Sequence, residues 1–236
     1  MALQIVALGG GGFLMEPENP LLDKYLLAQT GKERPKVAYL PQAAGEHRDL
    51  ILAFYQTYTA LGAHPTWLSL FKPHTADLEG YLCEQDLIFV GGGNTKSMIA
   101  LWREWGLDRI LRVAGEGGTV LAGVSAGANC WFESASTDSI PGGLTVVRGL
   151  GYLAGGFTPH YDGEAERRPA TLRMVAAGEL PGTYAMDDGA AAHFVDGRRI
   201  GVVTSRPNAR GYRLERDGDQ TIETELPVEY LGAEMA

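Results

Sequence analysis

The chain has 236 residues, of which 45% are hydrophobic, and this is enough for a sizeable core, so we predict one domain over residues 1–236. Its formal net charge of −9 argues against nucleic acid and acidic membrane surfaces as partners, because both attract basic patches. Two cysteines in the whole chain are too few for a disulfide framework, and the lack of a basic leader or a long apolar run predicts a cytoplasmic protein without membrane segments.

Short apolar runs alternate with helical patterns through the first half of the chain. The predicted strands lie at residues 3–8, 36–41, 65–70, 86–90 and 119–124. The predicted helices lie at residues 19–27, with an Asn cap and a Pro at its first position, 49–61 and 97–105. Buried strands joined by crossover helices form parallel sheets with helices on both faces. We therefore predict an α/β three-layer sandwich with a largely parallel central sheet.

Two of these strands end in glycine-rich loops, at residues 9–12 and 91–95. The first loop lacks the spacing of a dinucleotide fingerprint, and the second lacks the Gly-Lys-Ser/Thr of a phosphate-binding loop. We interpret the first as a tight turn. In an open α/β sheet, ligands bind beyond the carboxyl ends of the strands. The backbone amide of Gly92 or Gly93 is therefore a candidate donor to an oxyanion.

Residues 123–127 read Gly-Val-Ser-Ala-Gly and follow an apolar run. The two glycines permit a cramped strand-to-helix turn, which is the geometry of a nucleophile elbow. Ser125 is then a candidate nucleophile, and the amide of Ala126 a second oxyanion donor. The pattern alone leaves open a serine that is merely packed between glycines.

A serine nucleophile requires a base, and the base requires a carboxylate. Of the five histidines, His160 is the best placed base, because the preceding proline restricts the backbone at a predicted strand end. His193, on a later strand, is a second candidate. The candidate carboxylates are Asp187 and Asp188 at a predicted strand-end turn, which position favours, and Asp138 shortly after the elbow.

The last third of the chain has a different pattern. Strand-like segments are separated by Asp-Gly turns at residues 196–197 and 217–218, which predict antiparallel hairpins. Residues 163–175 are charged, and we predict a helix there that excludes Pro169.

Four motifs occur in an order and spacing that resemble the dipeptidase E and cyanophycinase family of serine peptidases. They are residues 90–95, 123–129, 136–138 and 159–161, and together they span most of residues 3–205. The resemblance implies a fold like that of class I glutamine amidotransferases. It also implies Ser125 as nucleophile, His160 as base, and an oxyanion hole from Gly92 or Gly93 with Ala126.

The resemblance further implies a carboxylate at the position of Asp188, where the family usually has Glu before Gly. Aspartyl dipeptidases of this family carry Gly-Glu-Thr-Arg after the His-Tyr pair, and that Arg pairs with the substrate Asp. This chain has Gly-Glu-Ala-Glu at residues 163–166, with Arg167 and Arg168 one and two places late. The candidate substrate-binding residues are Asn94, Tyr161, Arg167 and Arg168.

The leading hypothesis is a serine peptidase that releases a residue or a dipeptide from short peptides with a free N-terminus. Aspartyl-dipeptidase-like activity is one form of this function. The alternatives are an amidotransferase-like or esterase-like hydrolase on the same scaffold, or a catalytically silent binding protein. No His-Glu-x-x-His or other ligand cluster occurs, so we predict no metal and no other cofactor. The sequence leaves open the side-chain preference, the acid that orients the histidine, and whether the protein forms a homo-oligomer.

Overall fold

Residues 1–232 form two β-sheets and seven α-helices. The structure is a computed structural model that describes residues 1–232. The strands are, in chain order, β1 Gln4–Leu8, β2 Lys36–Leu40, β3 His64–Trp67, β4 Leu87–Val90, β5 Val120–Val124, β6 Phe132–Thr137, β7 Thr145–Arg148, β8 Leu153–Thr158, β9 Thr183–Met186, β10 Ala190–Val195, β11 Arg198–Thr204, β12 Gly211–Asp217, β13 Gln220–Glu225 and β14 Glu229–Tyr230. The helices are α1 Leu21–Ala28, α2 Arg48–Ala60, α3 Leu78–Cys83, α4 Thr95–Trp105, α5 Leu107–Glu116, α6 Ala126–Asn129 and α7 Arg167–Ala176.

The larger sheet has eight strands in the order β14-β11-β10-β1-β5-β4-β2-β3. The neighbouring strands β1, β5, β4, β2 and β3 are mutually parallel. By contrast, β10 is antiparallel to both β1 and β11. This arrangement confirms the predicted α/β fold with a largely parallel sheet and late antiparallel strands.

Helices cover both faces of the larger sheet. Successive side chains of a strand point to opposite faces, so each strand contributes to the core on either side. In β1, Ile5 and Ala7 join a core with α4 and α5, whereas Val6 and Leu8 join a core with α1 and α2. The strands β4 and β5 are buried along their whole length, as continuous apolar runs predict for a parallel sheet.

The smaller sheet has six strands in the order β13-β12-β9-β8-β6-β7. The strands β6, β8 and β9 are parallel, and the remaining neighbours are antiparallel. Of the two late hairpins that the sequence predicted, β10–β11 joins the larger sheet, whereas β12–β13 joins the strands after the elbow in the smaller one. The sequence did not predict this second sheet. Residues on α7, β9 and β12 pack in a small core of their own beside this sheet.

Two local predictions are wrong. Pro169 lies inside α7, as its third residue, because the first amides of a helix have no intrahelical partner and a proline there loses no hydrogen bond. Asn19 does not cap α1; the capping residue is Pro20, and the side-chain Nδ2 of Asn19 donates to Ser205 O at 2.9 Å. No helix within residues 1–232 has the length and apolar character needed to cross a membrane.

Candidate active site

Ser125 lies in the tight turn between β5 and α6. Its backbone dihedrals are φ 55° and ψ −113°, a region that costs a non-glycine residue about 1–3 kcal/mol. The turn requires its flanking glycines: a Cβ on Gly127 would lie 2.7 Å from the carbonyl carbon of Val90, and one on Gly123 would lie 2.9 Å from Cα of Gly127. Ser125 therefore has a strained backbone and lies in a tight strand-to-helix turn that requires both glycines.

Backbone amides that could donate to an oxyanion lie beside Ser125. Gly92 and Gly93 follow β4, and a Cβ on Gly92 would be 3.4 Å from Cβ of Ser125. The loop is anchored where the Asn94 amide donates to Ala43 O at 2.8 Å. Among residues 1–232, the amides of Gly92, Gly93 and Ala126 have no protein acceptor, so all three can donate to a ligand.

His160 reaches the same place from the loop after β8. Its backbone φ is 51°, and its amide donates to Gly9 O at 3.2 Å. The imidazole Nδ1 lies 2.6 Å from Oδ1 of Asp188, and the two side chains are 16% and 12% exposed. Because this contact occupies Nδ1, Nε2 is the nitrogen that can accept a proton from a substrate or a nucleophile.

Asp188 fits between two glycines. A Cβ on Gly10 would overlap its Oδ1 and would lie 3.0 Å from His160 Nδ1, and a Cβ on Gly163 would lie 3.3 Å from its Cγ. The Asp188 amide donates to Oδ1 of Asp162 at 2.8 Å. The carboxylate is thus held in one position against the imidazole. Gly10 belongs to the first glycine-rich loop, which the sequence analysis interpreted as a tight turn.

The pKa of Asp188 lies below its usual value. Burial alone would raise this pKa, but the hydrogen bond from His160 and the positive charges of His160, Arg206 and Arg167 lower it. The residue is therefore ionised at neutral pH, the state in which it can fix the imidazole tautomer and stabilise an imidazolium.

The other two candidate carboxylates have different surroundings. Asp187 faces Arg210, whose amide donates to its Oδ2 at 2.9 Å, and burial together with the charge of Asp162 raises its pKa to about 6. Asp138 is exposed in the loop after β6. Of the three carboxylates that the sequence left open, Asp188 is the one hydrogen-bonded to His160.

His193, the second candidate base, lies on β10 and is 2% exposed. Its Nδ1 is 2.8 Å from the hydroxyl of Tyr25 on α1, and burial lowers its pKa. The structure places it in the interface between sheet and helix, apart from Ser125.

Asn94 has both ends of its side-chain amide engaged within the protein. Its Oδ1 accepts from the Ser97 amide at 2.9 Å and so caps α4, and its Nδ2 donates to Ser139 O at 2.9 Å. These contacts fix the loop that carries Gly92 and Gly93.

The other three candidate substrate-binding residues also have protein partners. Tyr161 is 1% exposed, and its hydroxyl donates to Glu223. Arg167 is buried and lies 2.7 Å from Glu164. Arg168 pairs with Glu223, and its guanidinium lies 5.3 Å from the centroid of the Tyr161 ring.

The candidate site residues line a cavity of about 240 Å³. Ser125, His160 and the two loop glycines share it with Leu14, Met15, Leu50 and Val124. The sequence analysis did not identify Leu14, Met15 or Leu50. Their position in the sequence could have identified them, because they follow β1 and β2 at the same edge of the sheet as Ser125.

The layered fold and the serine on a strand-to-helix turn define a class, the α/β enzymes of serine-peptidase type. The model of peptidase family S51 matches residues 5–201, and the chain belongs to this family of serine peptidases. The resemblance inferred from the four sequence motifs is therefore confirmed.

A relative and two solved structures agree with this assignment. The uncharacterized peptidase YgaJ of Bacillus subtilis (strain 168) is 49% identical over 229 residues, which cover 97% of this chain and 99% of the relative. A peptidase from an acI-B1 Actinobacterium matches with a TM-score of 0.64 at 17% identity, over 96% of this chain and 98% of the other. A Listeria monocytogenes EGD-e protein provisionally named a peptidase E matches with a TM-score of 0.62 at 17% identity, over 96% and 100%. At such low identity, the two structures support the fold.

Proposed function

We propose that this peptidase hydrolyses short peptides through a triad of Ser125, His160 and Asp188, and releases a residue or a dipeptide from a free N-terminus. The observation that carries the proposal is that a strained Ser125 and a His160 already paired with Asp188 at 2.6 Å line one cavity. Strain of this kind persists where the surrounding structure holds a residue for function.

The proposed reaction is acyl transfer to serine followed by hydrolysis. His160 takes the proton from Oγ of Ser125 as the hydroxyl attacks the substrate carbonyl, and the proton then passes to the leaving amine. The oxyanion accepts hydrogen bonds from the amides of Ala126 and of Gly92 or Gly93. Water then attacks the acyl-enzyme, with His160 again acting as base. Asp188 holds the imidazole in the required tautomer throughout.

The size of the cavity supports a short substrate. Its volume of about 240 Å³ is below the range of about 300–1,000 Å³ that is usual for sites that enclose a small-molecule ligand. Such a space accommodates roughly one residue next to the scissile bond.

The test is digestion of a mixture of short peptides, with products read by mass spectrometry. Ser125→Ala should lower the turnover rate by about 10⁴- to 10⁶-fold while the circular dichroism spectrum is unchanged. Ser134→Ala is the matched control, because Ser134 is a buried serine on β6. Wild-type activity in the Ser125→Ala variant would refute the assignment.

A further inference from the structure

The side chains that border the candidate nucleophile are apolar. Leu14 and Met15 come from the segment after β1, and Leu50 comes from the first turn of α2. Leu14 and Leu50 are half-buried, and Met15 is 44% exposed. Together with Ser125, Gly92 and Gly93 they form the wall of the cavity. Among residues 1–232, the titratable side chain that lines this cavity is that of His160.

The arginines near His160 and Asp188 are all engaged by glutamates. Each of these arginines has an anionic partner within the protein. The pairs are Arg167 with Glu164 at 2.7 Å, Arg168 with Glu223, Arg206 with Glu16 at 2.7 Å, and Arg210 with Glu225 at 3.2 Å.

From these two observations, and resting on the proposed function, we infer that the enzyme selects an uncharged aliphatic side chain, such as Leu or Met, on the residue whose carbonyl is attacked. That carbonyl must lie between Ser125 Oγ and the amides of Gly92 or Gly93. Its side chain is attached one carbon away, so it enters the space between Leu14, Met15 and Leu50.

The physical basis is burial without a counter-charge. A leucine side chain that leaves water for an apolar wall strengthens binding by roughly 10- to 100-fold. An aspartate side chain placed there loses hydration, and no cationic side chain among residues 1–232 lines the cavity. The expected preference is therefore opposite to that of an aspartyl dipeptidase.

Arg48 is the cation that could contradict this inference. It lies two residues before Leu50 on α2 and is exposed. However, it lines a different cavity, together with Trp67 and Phe71. The experiment below includes a variant of this residue.

The experiment compares substrates that differ in one side chain. The values of kcat/KM are measured for Leu-Ala, Asn-Ala and Asp-Ala and for the corresponding aminoacyl 4-nitroanilides. Asn is the uncharged counterpart of Asp, so it separates charge from shape. We expect Leu to exceed Asp by at least about 100-fold, with Asn between them. An Asp substrate cleaved as fast as its Leu counterpart overturns the inference.

Variants of Leu50 test the wall itself. Leu50→Ala should lower kcat/KM for Leu substrates by about 10-fold and leave Asp substrates unchanged. Leu50→Arg should raise the Asp-to-Leu ratio at least 10-fold, because it supplies the missing cation. Leu50→Gln gives a polar wall if the arginine variant fails to fold. Arg48→Gln should leave every ratio unchanged; a selective loss on Asp substrates would overturn the inference.

The outcomes separate this inference from the proposed function. Hydrolysis that depends on Ser125 but favours Asp leaves the peptidase assignment standing and overturns the apolar subsite. If Ser125→Ala cleaves every substrate as well as the wild type does, or if none is cleaved, the proposed function fails, and the subsite inference fails with it.

Discussion

Replacement of Gly10 by alanine should inactivate the enzyme although it replaces no candidate catalytic residue. The new Cβ would overlap Oδ1 of Asp188 and would lie 2.9 Å from its Cγ. The carboxylate must move by roughly 1 Å, which breaks the 2.6 Å contact with His160. A misplacement of about 1 Å costs on the order of 10²-fold in rate, and loss of the correct tautomer costs about 10⁴-fold. We therefore expect kcat to fall by a factor between these limits.

The assay is kcat on a short peptide, with circular dichroism melting as the measure of folding. Gly201→Ala is the matched control, because a Cβ at this strand glycine would meet nothing within 4 Å. In the Asp188→Gly variant the carboxylate that clashes with the new Cβ is gone. Adding Gly10→Ala to that variant should therefore lower kcat by less than about a further 3-fold. The reasoning fails if Gly10→Ala alone keeps kcat within about 3-fold of the wild type, or if its effect is undiminished in the Asp188→Gly background.

Three further predictions concern the acids and metal dependence. Asp188→Asn should lower kcat by about 10⁴-fold, whereas Asp187→Asn and Asp138→Asn should stay within about 10-fold of the wild type; a large loss in Asp138→Asn instead would show that the wrong acid has been assigned. Chelators should leave activity unchanged, and inhibition that added metal reverses would point to other chemistry. Burial raises the pKa of Asp23 from 3.8 to about 7, so the folded state holds this proton more tightly than the unfolded chain does. The free energy of unfolding should therefore fall as pH rises from about 4 to 7, and calorimetry of Asp23→Asn should give a flatter profile; an unchanged profile would contradict this assignment.

The larger sheet could be predicted because its signal is local. Residues 87–90 and 120–124 are short apolar runs, and the first is followed directly by three glycines. A run of this kind fits a strand that is buried on both faces. The smaller sheet could not be predicted in the same way. Its strands β7 and β13 are half exposed, and their patterns do not specify which distant strand each one joins.

The choice between Asp187 and Asp188 illustrates the same limit at the site. Adjacent residues in an extended segment direct their side chains to opposite sides, so a shift of one residue exchanges the two carboxylates. The pairing of β10 with β1 and the bridge between Gly10 and Asp188 set this register. It depends on residues almost 180 positions apart, whereas the motif around Ser125 is contained in five consecutive residues.

The position of β1 also affects when the enzyme becomes active during its synthesis. Ile5 pairs with Leu121 on one side and with Phe194 on the other, so β1 leaves the ribosome before either of its partner strands. A nascent chain that stops before residue 188 already carries Ser125 and His160 but lacks the carboxylate between Gly10 and Gly163. Under the proposed assignment, an unfinished polypeptide cannot cleave its neighbours. On the same assignment, the site is complete only when β10 pairs with β1, and this pairing closes a long loop.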